Sequence, residues 1–115
     1  MREIKLLELN SGKCPFERWY KSIGDQVARR RIAAAVTRLA DSSFRSFKGV
    51  GQGVQELKIF YGPGYRVYFG FRTDTLVILL GGSDKNSQRD NIDEAKTLWK
   101  EYKDEPSRYQ RKLVS

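Results

Sequence analysis

Residues 54–82 read VQELKIFYGPGYRVYFGFRTDTLVILLGG, and the period of this stretch decides the fold. Apolar and polar side chains alternate with a period of two through three runs, 54–61, 65–72 and 75–82, which marks each as a strand. Gly62-Pro63-Gly64 and Thr73-Asp74 are short enough to close antiparallel hairpins, so the runs form a meander. With Tyr61 facing Tyr65, Leu57, Ile59, Tyr61, Tyr65, Val67, Phe69 and Phe71 share one face, which must cover apolar partners. The opposite face collects Glu56, Lys58, Phe60, Arg66, Tyr68 and Arg72, with Lys58 opposite Tyr68 and Arg66 opposite Phe60. The same register sets Gly81 beside Arg66. The loop holding Ser83, Asp84, Lys85 and Asn86 then leaves from that end of the sheet, and Lys58, Arg66 and Lys85 converge.

Upstream, Arg2 to Leu9 reads as a first strand, ended by Asn10-Ser11-Gly12. Pro15 opens a short helix where its missing N–H costs nothing, and Phe16, Trp19, Tyr20 and Ile23 follow at helical spacing until Gly24. Asp25 caps a second helix to about Asp41, with Ala28, Ile32, Ala35, Val36 and Leu39 on its apolar face. The turn between the two is so short that they form a helical hairpin. Ser42 to Gln55, with three glycines, two cations and no carboxylate, reads as a loop suited to meeting a ligand. Downstream, Ile92, Ala95, Leu98, Trp99 and Tyr102 form one face of a third helix over 91–103. The expected architecture is α+β, in the order β-α-α-β-β-β-α: an antiparallel sheet with the N-terminal helical hairpin on one face, and a C-terminal helix. Residues 1–104 make one domain, and 105–115 a basic, flexible tail.

The composition fits one globular domain: 115 residues, 39% hydrophobic, with six Phe, six Tyr and two Trp to fill a core. One cysteine and no histidine remove an internal disulfide, a Cys/His zinc site and imidazole acid–base catalysis. Neither a signal peptide nor a membrane span is expected, and a reducing cytoplasm is the natural setting. The 22 Lys+Arg against 14 Asp+Glu leave a net charge of +8, which makes polyanions the default partner class.

The placement of that charge narrows the choice. Antiparallel sheets often carry a solvated, charged face, and Lys58, Arg66 and Arg72 fit that reading. Phe60 and Tyr68 between them favour another, in which rings stack on bases and cations hold phosphates. Arg29, Arg30 and Arg31 splay around their helix and read as solvated. Glu56-x-Lys58 is half of a metal-nuclease pattern with no matching acid on a neighbouring strand, and no metal or other cofactor is expected. Without metal or histidine, phosphodiester cleavage through the RNA's own 2′-hydroxyl remains open, with cations stabilising the charged transition state.

Two stretches, VQELKIFYGPGYRVYFGF and LVILLGGSDKNSQRDNIDEAKTLWKEY, resemble the killer-protein branch of the RelE/ParE superfamily of toxin–antitoxin toxins, close to HigB-like proteins. The resemblance spans residues 1 to about 103. It implies a RelE-like fold and a ribosome-dependent mRNA endonuclease that inhibits translation in the cytoplasm. Its partners would be the 70S ribosome, mRNA and a cognate antitoxin, a helix-turn-helix DNA-binding protein from the same operon. By the same resemblance Arg66 stabilises the phosphate, Lys58 activates or positions the 2′-hydroxyl, and Lys85 occupies the loop that holds an acid or phosphate-contacting residue. The expected roles are Lys58 as base or orienting group, Arg66 at the transition state and Lys85 assisting the leaving oxygen. Arg45, Lys48, Phe60, Tyr68, Arg72, Asp84 and Gln88 are the expected RNA contacts. The chain departs from the branch in Ser83, inserted before Asp84-Lys85, and in having no histidine; Tyr68 and Tyr102 are its tyrosine alternatives for the base. A ParE-like gyrase inhibitor without catalysis and a plain nucleic-acid-binding module are the alternative functions.

Overall fold

The computed structural model describes residues 1–105 and the backbone of Gln110–Lys112. Its elements run β1 (Glu3–Leu7), α1 (Pro15–Ser22), α2 (Gln26–Arg38), β2 (Lys48–Gly51), β3 (Val54–Ile59), β4 (Tyr65–Thr73), β5 (Leu76–Asp84), α3 (Gln88–Asp104) and β6 (Gln110–Lys112). The class is α+β, with three helices on a six-stranded sheet in the order β2-β3-β4-β5-β1-β6. The sheet is mixed rather than antiparallel, because β1 runs parallel to β5. This follows from how the two layers are wound. The α1–α2 hairpin carries the chain from β1 across one face to the far edge, and the meander steps back until β5 lies beside β1. Helix α3 then lies over β3, β4 and β5, and β6 pairs with the other side of β1.

Two strands were not expected. Lys48–Gly51 of the anticipated loop pairs with β3, and three residues of the anticipated flexible tail, Gln110–Lys112, form β6. The rest of that tail beyond Glu105 lies outside the described residues.

The hairpin face of the sheet is as the alternation requires. Leu57, Ile59, Val67 and Phe69 are buried with Phe16, Ala28, Ile32 and Val36 of the helices, and Tyr61, Tyr65 and Phe71 pack at the rim. Asp25 caps α2 by accepting the N–H groups of Val27 and Ala28 at 2.9 and 3.2 Å. Arg2, only 7% exposed, donates to the carbonyls of Leu39, Asp41, Ser42 and Phe44, and lies over the rings of Phe47 and Phe71. It thereby clasps the segment leading from α2 into β2.

The other face corrects the sequence reading. It is no solvated surface along most of its length, because α3 covers it with Ala95, Trp99 and Tyr102 packed on Val54, Tyr68, Ile78 and Leu80. Strands buried on both faces lose the polar half of their alternation, and the uninterrupted run Leu76-Val77-Ile78-Leu79-Leu80 in β5 is that signal. Charged groups remain at its two ends: Lys58 and Arg66 near the Gly62–Gly64 turn, and Arg72, which meets Tyr102, at the other.

Candidate functional site

The β3–β4 register is displaced by two residues from the expected one: Ile59 pairs with Tyr65, Lys58 with Arg66, Leu57 with Val67 and Glu56 with Tyr68. An even displacement leaves every side chain on its face but changes its neighbours. The cause is Tyr61, which leaves the ladder so that its hydroxyl donates to Asp25 Oδ2 at 3.0 Å, while Arg31 lies 4.9 Å over its ring. The loop therefore takes residues 60–64, and Phe60 stands free of the strand at 88% exposure.

Lys58 and Arg66 are thus direct cross-strand neighbours, with Cα atoms about 4.5–5.5 Å apart in such pairs. Like charges so placed disfavour the sheet, and among the described residues neither has a carboxylate partner. Arg66 Nη1 donates to the Gly64 carbonyl at 3.2 Å, and its buried Nε meets no acceptor among the described residues. Two pairs further along, on the same face, Glu56 is 1% exposed. Its Oε2 accepts Gln88 Nε2 at 2.8 Å, and Lys48 Nζ stands 3.9 Å from its Oε1.

A bulge in β5 completes the site. The β4–β5 hairpin closes one residue later than expected, with Phe71 on Val77, and the register shifts by one more between Tyr68/Phe69; together they pair Arg66 with Ser83, not Gly81. Ser83, 1% exposed, meets the Tyr68 hydroxyl at 2.9 Å, so the inserted serine is used inside the fold. Burial pushes the Tyr68 phenol up to about 12. The Ser83 hydrogen bond and the Arg66 cation oppose this rise, and the nearby Glu56 carboxylate adds to it.

The expected residues divide accordingly. Lys58, Arg66, Phe60, Lys48 and Gln88 gather at this end of the sheet. Lys85 is exposed in the loop that leaves beside them, since the preceding Asp84 pairs with Tyr65. Tyr68 is a correction: its ring lies wholly inside the core under α3, closed to any base. Tyr102, also fully buried, packs on Trp99 and meets Arg72. Arg72 lies six residues along β4 from Arg66, about 20 Å away, and so is not brought to the site. Arg45 is exposed in the 42–47 segment and bonds the Ser42 carbonyl. Glu56 and Ser83 are the polar residues that sequence reasoning left without a place in the site.

Asp84 serves the loop. The backbone N–H and hydroxyl of Ser87 both bond its Oδ1 at 3.0 Å and hold its carboxyl below the usual aspartate range. A carboxyl depressed by folding stabilises above its unfolded pKa and loses that contribution as pH falls through the folded value. Acidification below the ordinary aspartate range is therefore expected to loosen the 84–87 turn. Hydrogen exchange at the Ser87 amide should quicken, measured against amides of β4 as an internal reference.

A groove of about 390 Å³ opens alongside, lined by Arg38, Phe44, Lys48, Glu56, Lys58 and Phe60 among others. It runs where the chain has not yet entered β2, so that β3 beyond Glu56 has no β2 partner among the described residues. Among the described residues no cluster of three or more His, Cys, Asp or Glu could hold a metal ion, and no helix is long and apolar enough to cross a membrane.

Fold and site together define an α+β protein with a cation pair at the open end of a mixed sheet. No family model matches the sequence. An uncharacterized protein of Haemophilus influenzae is 40% identical over 86 residues, covering 75% of this chain and 87% of that protein, and the chain belongs to the same family.

Proposed function

We propose that the chain is a RelE-like toxin of a toxin–antitoxin pair, acting in the cytoplasm as a ribosome-dependent mRNA endonuclease. The observation that carries this reading is the Lys58–Arg66 pair, two cations facing each other across β3 and β4 with no carboxylate paired to either among the described residues. Such a pair is unfavourable for the sheet and favourable for a phosphate. Phe60 beside it offers a free ring for a base, Lys48 and Lys85 flank it, and the net charge of +8 draws RNA to it.

The nucleophile comes from the RNA itself. The 2′-oxygen attacks the adjacent phosphorus as its proton passes to solvent water, the P–O5′ bond breaks, and the 5′-oxygen takes up a proton from the Lys85 ammonium, which is reprotonated from solvent. The products are a 2′,3′-cyclic phosphate and a 5′-hydroxyl. Lys58 orients the 2′-oxygen, Arg66 receives the negative charge that grows on the phosphoryl oxygens, and Lys85 reaches the leaving oxygen. Partners on this reading are the 70S ribosome, mRNA and the cognate antitoxin.

The reading is tested by one substitution in the substrate. A reporter mRNA carrying a single 2′-deoxynucleotide on the 5′ side of a mapped cut should resist cleavage there during translation and remain cleavable elsewhere. Equal cleavage of the deoxy site would exclude the mechanism. Intact mRNA with inhibited DNA supercoiling by gyrase would move the function to a ParE-like binder.

A further inference from the structure

We propose that Glu56 is a positioning residue of this site, acting through Lys48; the inference rests on the RNA-cleaving reading above. A carboxylate with 1% exposure is costly to bury, and the cost is offset only by good partners. Glu56 accepts a hydrogen bond from the neutral amide of Gln88 and interacts with the neutral Tyr68 phenol across the ladder, and its Oε1 has no hydrogen-bond donor among the described residues. What stands before Oε1 is the Lys48 ammonium at 3.9 Å, on a side chain that is itself 61% exposed. For stability alone an apolar residue would serve as well as this anion. Its charge acts on the cations around it.

The placement says which cation matters. Lys48 is the first residue of β2, a strand of four residues with a register irregularity between Gly49 and Gly51, and it pairs directly with Glu56. Among the described residues Glu56 is the carboxylate paired with this long, flexible ammonium. Held by Glu56, that ammonium sits on the rim of the groove that also carries Lys58 and Phe60. The same carboxylate takes Gln88 of the first turn of α3, so one buried anion ties β2, β3 and α3 around the cation pair. Lys48 and Gln88, expected separately as RNA contacts, converge on it. Glu56 is too deeply buried to touch the RNA, so its effect passes through Lys48.

The test is a double-mutant cycle on the full chain, with Glu56→Gln, Lys48→Gln and both together. Glutamine at 56 keeps the shape and an acceptor for the Gln88 amide, and removes only the charge. Each single change is expected to raise KM for mRNA cleavage on the ribosome by about tenfold, with kcat little changed and the salt slope of RNA binding lowered by about one. The double variant should be no worse than either single one. A merely structural Glu56 would instead give losses that multiply in the double variant, with a fall in Tm, and that result overturns the proposal. Should Glu56→Gln fail to fold, Lys48→Gln decides: cleavage within about twofold of wild type would leave Glu56 no cation to act through. If Arg66→Ala abolishes cleavage while the Lys48 and Glu56 variants match wild type, this inference fails and the RNA-cleaving reading stands. If the wild-type chain cuts no mRNA, both fall together.

Discussion

Gly70→Ala is expected to destabilise the protein by about 3 kcal/mol, at the upper end of the usual overpacking range. Gly70 lies in the middle of β4 under the indole of Trp99, and a β-carbon there would sit 2.7 Å from Cε2 and Cζ2 of that ring. The ring has nowhere to go. Trp99 is 3% exposed, stacks on Tyr102 at 5.5 Å, and closes equally tightly over Gly53, where a β-carbon would lie 2.8 Å from its Nε1. Moving it would lift α3 from the sheet and disturb Tyr68 beneath. For a domain of this size the loss corresponds to a fall in Tm of more than about 10 °C. Urea titration with the slope held fixed is the check, and a change below about 0.5 kcal/mol, the level of an ordinary surface substitution, would contradict the packing described. Trp99→Leu in the same chain should recover part of the loss, because a smaller side chain leaves room for the methyl group.

Arg66→Ala is expected to act in the opposite way, lowering the rate of mRNA cleavage by about 10²–10³-fold while leaving stability equal to or slightly above wild type. The guanidinium faces Lys58 across the sheet, has a buried Nε without an acceptor among the described residues, and holds only the Gly64 carbonyl. Its removal relieves a like-charge pair and leaves no buried carboxylate without its partner, since Glu56 keeps Gln88 and Lys48. Loss of function without loss of stability is the signature of a residue kept for binding and chemistry. Single-turnover cleavage at saturating ribosome concentration, beside a melting curve, measures both. A variant that unfolds, or one that cuts at the wild-type rate, would remove Arg66 from the place assigned to it.

Much of the architecture was legible in the sequence. Period two through 54–82, helical spacing in 15–23 and 28–39, and the Asp25 cap carried the elements, and the hairpin-facing side of the sheet followed from alternation alone. What escaped depended on contacts distant in sequence. The parallel β1–β5 pairing is set by the crossing of the α1–α2 hairpin, which no local pattern records. The two-residue register displacement comes from Tyr61 reaching Asp25, 36 residues away. Because the displacement is even, Lys58 and Arg66 kept their face, but they became each other's neighbours instead of those of Tyr68 and Phe60. Tyr68 was misplaced for a different reason. The apolar stripe of α3 needed a surface to cover, and the only one left was the second face of the sheet. Glu56 and Ser83 look like ordinary polar strand residues in the sequence; burial under α3 and the bulge in β5 give them their partners.

The most direct measurement is primer extension on a reporter mRNA in a reconstituted translation system, with and without ribosomes, comparing the wild-type chain with Arg66→Ala. The account predicts discrete cuts with the wild-type protein only while the message is translated, and their loss with Arg66→Ala. Cuts that persist in the variant, or a message left whole by a wild-type protein that still arrests growth, would contradict it.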